Sequence, residues 1–87
     1  MIGVKDAVGA ATRFAEELYG PREDLGLTLE EVELSTDDRH WLITLGLADR
    51  ANPFAALAGG LAQRDYKIFK VDAETGEVVS MKIRSVA

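Results

Sequence analysis

The stretch from Arg64 to Arg84 leaves the chain few choices of fold. Tyr66-Lys67-Ile68-Phe69-Lys70-Val71 and Val78-Val79-Ser80-Met81-Lys82-Ile83 are rich in β-branched and aromatic residues. The polar segment Asp72-Ala73-Glu74-Thr75-Gly76-Glu77 separates them. Two such runs around a short Gly-containing segment form a β-hairpin. Its register has two solutions. A three-residue loop, Glu74-Thr75-Gly76 with Gly76 left-handed, pairs Val71 with Val79 and Phe69 with Met81. The core face is then Phe69, Val71, Val79, Met81 and Ile83, while Tyr66, Ile68 and Val78 join Leu42 on the other face. A four-residue loop slips the register by one and turns Tyr66 and Ile68 inward. The three-residue loop is preferred, because a type I turn followed by a left-handed Gly fits this segment without strain.

The remaining elements follow from hydrophobic period. Val4, Ala7, Val8, Ala11, Phe14, Ala15, Leu18 and Tyr19 fall within one arc of roughly 140° at helical spacing, so residues 4–19 form an amphipathic helix. Its alanines make the buried face shallow enough for a sheet to approach closely. Gly20-Pro21 stops it. Residues 28–35 alternate, with Val32 and Leu34 opposite Glu31 and Glu33, as in a half-buried strand. Residues 40–48 form the next strand, with Trp41, Ile43, Leu45 and Leu47 on one face and Leu42, Thr44 and Gly46 on the other. The polar turn Ser35–Arg39 joins the two. The last strands are expected at about 64–72 and 77–84. Residues 49–63 form either a short helix over one end of the core or a binding loop presenting Phe54, Leu57 and Leu61.

The expected fold is therefore α+β: an N-terminal helix packed on a four-stranded antiparallel meander, in a single domain spanning residues 1–87. A chain of 87 residues has material for one core and no second one.

The run Tyr66-Lys67-Ile68-Phe69-Lys70-Val71-Asp72-Ala73-Glu74-Thr75-Gly76-Glu77-Val78-Val79-Ser80 resembles the PepSY domain family. Its members close with an extended strand, then Val-Asp-x-x-Thr-Gly-x-Val, then a second strand. The order of elements from Val4 onward agrees with that plan. The resemblance implies a cystatin-like α+β domain that binds or inhibits, often proposed to restrain peptidases. It brings no catalytic residue with it.

The chemistry-bearing residues point the same way. The chain has no Cys and a single His, so thiolate metal sites and disulfides are excluded. His40 beside Asp37 and Asp38 is better read as a turn residue than as a metal ligand. Asp37-Asp38 and Asp72-Ala73-Glu74 lack the ligand spacing of a calcium loop, and turn-starting Asp residues are explained by bonding to the backbone. Glu31 and Glu33 share a solvated strand face. Gly59-Gly60 has no phosphate-loop context. No Ser or Thr sits in a His–acid relay. No catalytic residue, metal or cofactor is expected.

The formal charge of −5 opposes nucleic-acid binding. Residues 1–49 carry 11 acidic and 4 basic side chains, and residues 50–87 carry 4 and 6, giving −7 and +2. Lys67, Lys82 and Arg84 are expected to line one face of the last hairpin. No signal peptide or membrane span is seen, so a cytoplasmic location without membrane contact is expected. The functional expectation is a non-enzymatic protein-binding or regulatory module, in its narrower form an inhibitor or immunity-type protein. The partner would be another protein or a second copy. The expected contact residues are Leu42, Phe54, Leu57, Leu61, Tyr66, Ile68 and Val78. The alternative is a small-ligand pocket between helix and sheet, lined by Phe14 and Trp41.

Overall fold

The computed structural model describes residues 1–47 and 65–84. Their element order is α1 (Val4–Tyr19), α2 (Arg22–Leu25), β1 (Thr28–Leu34), β2 (His40–Leu47), β3 (Asp65–Asp72) and β4 (Val78–Arg84). The four strands form one antiparallel sheet in the order β1-β2-β3-β4. The α+β architecture expected from the sequence is the one observed, with α2 an added single turn in the connector after Gly20-Pro21. The 49–63 segment, with Phe54, Leu57 and Leu61, lies outside the described residues.

α1 begins where Asp6 accepts a hydrogen bond from the Gly3 amide at 3.3 Å, a carboxylate satisfying an otherwise free helix-start donor. It ends at Gly20, whose φ of 115° no L-residue adopts comfortably and whose amide donates to the Glu16 carbonyl at 2.9 Å. The buried face consists of Ala7, Ala10, Ala11 and Ala15. Val8 and Phe14 pack against the core from its borders. The expected arc is thus narrower in fact. Val4, Leu18 and Tyr19 are exposed, because they lie at the two ends of the helix, and Ala10 takes part instead. Four small side chains let α1 sit close over β2 and β3. There the sheet supplies the bulk: Ile43, Leu45, Phe69 and Val71 are all fully buried or nearly so. The Phe14 ring meets Phe69 edge-on, with centroids 6.1 Å apart.

The residues before α1 are part of the same structure. The Ile2 amide donates to the Ala73 carbonyl at 2.7 Å, and the Trp41 indole N–H donates to the Ile2 carbonyl at 3.2 Å. The chain start is thereby clamped between β2 and the β3–β4 turn.

The hairpin register combines the two expected solutions. The Asp72 amide donates to the Glu77 carbonyl, and Val71 pairs with Val78. The turn is therefore the four-residue segment 73–76, with Gly76 left-handed at φ 77°. The register then shifts before Lys70 pairs with Ser80. Val79 is the extra residue, a β-bulge. Beyond it Phe69 pairs with Met81, as the three-residue loop requires. One residue added in the turn is cancelled by one residue bulged from β4. Consequently Val78 is the valine packed against the core, and Val79 is 50% exposed, the reverse of what the sequence led us to expect.

Ile83 is a second correction. It lies on the helix-side face, opposite Lys67, yet it is 75% exposed. At the last residue of α1 the Tyr19 hydroxyl approaches the Met81 sulfur at 3.7 Å. Ile83 lies beyond that end of the helix.

Candidate functional site

The face of the sheet turned away from α1 holds three of the expected contact residues, Leu42, Tyr66 and Ile68. Reading across β1, β2, β3 and β4, its rows are Glu33, Leu42, Lys70 and Ser80; then Glu31, Thr44, Ile68 and Lys82; then Thr28, Gly46, Tyr66 and Arg84. Leu42 and Ile68 are diagonal neighbours at its centre and Tyr66 lies one row further along. All three are half-buried. Val78 is not among them, because the bulge at Val79 turns it toward the helix. Lys67 is not among them either. Strand alternation puts it on the helix side between Leu45 and Ile83, and Lys70 takes the place expected for it.

Leu42 and Ile68 floor a groove of about 350 Å³. Glu33 borders it on the β1 side, and Lys70, Ser80 and Lys82 border it on the β3–β4 side. Lys70 and Lys82 are diagonal neighbours on adjacent strands, a separation of roughly 7–8 Å. Neither forms an ion pair among the described residues. Arg84 behaves differently. Its guanidinium crosses the outer face to Glu31, at 2.7 Å, and donates to the Thr44 hydroxyl at 3.3 Å. Gly46, in register with Thr28 and Tyr66, presents no side chain beside the crossing. The Arg84–Glu31 pair joins the two edge strands and covers Thr44, which is only 4% exposed. The cationic character of the groove thus rests on Lys70 and Lys82. Lys70 and Ser80 had not been singled out from the sequence. The signal for Lys70 was the two-residue spacing from Ile68.

The acidic turns are structural. Asp37 accepts from the Ser35 hydroxyl at 2.6 Å and from the Arg39 amide at 3.1 Å. The Ser35 hydroxyl and the Arg39 amide, with smaller help from His40 and Arg39, hold its carboxyl below the usual value. Asp72 accepts from the amides of Thr75 and Glu74, and these two bonds, with a lesser contribution from His40, lower its pKa likewise. Among the described residues no three His, Asp or Glu side chains gather as a metal site would require. Trp41 and Phe14, the side chains expected to line a pocket between helix and sheet, are engaged in the clamp at Ile2 and the contact with Phe69.

No family model, curated protein or solved structure matches the chain. Among the described residues no helix is long and apolar enough to cross a membrane.

Proposed function

We propose that this chain is a non-enzymatic protein-binding module whose contact surface is the outer face of the sheet around Leu42, Ile68 and Tyr66. The observation that carries the reading is the groove itself. It has an apolar floor on the sheet, bordered by charged groups that form no ion pair among the described residues. A concave apolar surface ringed by polar groups is the usual form of a binding site on a small domain. The resemblance of Tyr66–Ser80 to PepSY domains agrees with a role in binding or inhibition, and an inhibitor or immunity-type protein is the narrower form of the proposal.

The test begins with capture from the native host by the tagged protein and by Leu42→Asp and Ile68→Asp variants of verified fold. A protein captured only by the wild type is then purified and titrated against all three. The expected result is binding that the variants lose by tenfold or more. Equal binding by the wild type and both variants would remove the outer face from the function.

A further inference from the structure

We infer that the outer-face groove accepts an acidic peptide segment of a partner protein, an apolar side chain resting on Leu42 and Ile68 and its flanking carboxylates meeting Lys70 and Lys82. This rests on the proposed protein-binding role and names the chemistry of the partner.

The argument is one of charge and place. The chain carries −5 overall, so a cationic locus on it stands out. Of the outer-face cations among the described residues, Arg84 is engaged with Glu31 and the Thr44 hydroxyl, whereas Lys70 and Lys82 flank the groove with no acidic partner among those residues. An ammonium group beside a partly desolvated apolar floor interacts more strongly with a carboxylate than one in open water does. Glu33 stands on the opposite border. It repels carboxylates there, so the acidic side of the segment lies over β3 and β4 and not over β1. The acidic residues of β1 also count against other occupants. Glu30 and Glu33 along this edge repel an anionic bilayer. Two lysines are too few for a phosphate backbone on a net-acidic protein.

The test is a titration of isotope-labelled protein with two end-blocked peptides, Glu-Leu-Glu-Leu-Glu and Lys-Leu-Lys-Leu-Lys, followed by amide shifts in two-dimensional NMR. The acidic peptide is expected to move the signals of Leu42, Ile68, Lys70 and Lys82 and to bind more weakly as salt is raised. The double variant Lys70→Glu/Lys82→Glu is expected to weaken it about tenfold. Lys67→Glu, on the helix side, is expected to leave it unchanged, and the spectra themselves report whether each variant folds. The proposal is overturned if the lysine peptide binds as well, if the shifts map elsewhere, or if the double variant binds normally. Tighter binding to phosphatidylserine vesicles than to the peptide overturns it in favour of a membrane. Sedimentation showing a dimer that Lys70→Glu disrupts overturns it in favour of a second copy. If the acidic peptide fails while Leu42→Asp still abolishes binding of the captured protein, only the charge assignment falls and the protein-binding role stands.

Discussion

Two residues of the β3–β4 turn show how local chemistry holds this fold in register. Gly76 sits at φ 77°, and a Cβ there would meet the Ile2 side chain at 3.6 Å, an ordinary contact. The cost of Gly76→Ala is therefore conformational and not steric, about 1–2 kcal/mol, and urea denaturation should show a lower midpoint with an unchanged slope. Asp72 serves the same turn through its carboxylate, which accepts from two backbone amides. Its pKa lies below the ordinary 3.8, so the folded state favours the anion. The resulting stabilisation is fully present above that value and is lost as pH falls through and below it. Thermal unfolding of Asp72→Ala should accordingly show a loss at neutral pH that shrinks toward zero in strong acid.

At the scale of elements, the pairing of an alanine-faced helix with a bulky sheet is the central fact. Ala11 has no exposed surface, so Ala11→Leu must push α1 off β2 and β3. The expected cost is about 1–3 kcal/mol, read from denaturant midpoints. The helix, the polar turn between β1 and β2 and the alternation along β2 were all legible in the sequence, because each depends on neighbours within one or two turns of chain. The bulge at Val79 was not. Both loop lengths satisfied local rules, and the choice between Val78 and Val79 was made by which valine could reach the core beside Val71. The bulge also kinks an edge strand, as the register shift at Glu30 does on the opposite edge, and both work against edge-to-edge pairing of sheets.

The whole molecule separates apolar residues by position relative to the helix. Phe69 and Ile83 are both on the helix-side face, yet Phe69 is completely buried and Ile83 is 75% exposed. Phe69→Ala is expected to cost about 3–5 kcal/mol. Ile83→Glu should change stability by no more than about 0.5 kcal/mol. A similar large loss in both, measured by equilibrium denaturation, would show that Ile83 is covered after all. The Arg84–Glu31 pair works at this scale too. Its half-exposed partners limit it to less than about 1 kcal/mol, so its larger consequence is to engage Arg84 and leave the groove to Lys70 and Lys82.

By itself the sequence determined the α+β class, the order of α1 and the four strands, the helix stop at Gly20-Pro21 and the inward set Trp41, Ile43, Leu45 and Leu47. All of these follow from short-range period and turn chemistry, which act within a few residues. Period two also placed Leu42 on the outer face, but it left Tyr66 and Ile68 to the register of the last hairpin, which the four-residue turn and the bulge at Val79 together decided. Only the tertiary structure decided that Val78 turns inward, that Ile83 lies past the helix end, and that Arg84 is drawn across four strands to Glu31. Each of those depends on residues distant in the chain meeting in space. The groove between Glu33 and the two lysines is such a meeting of strands, and no single stretch of the sequence contains it.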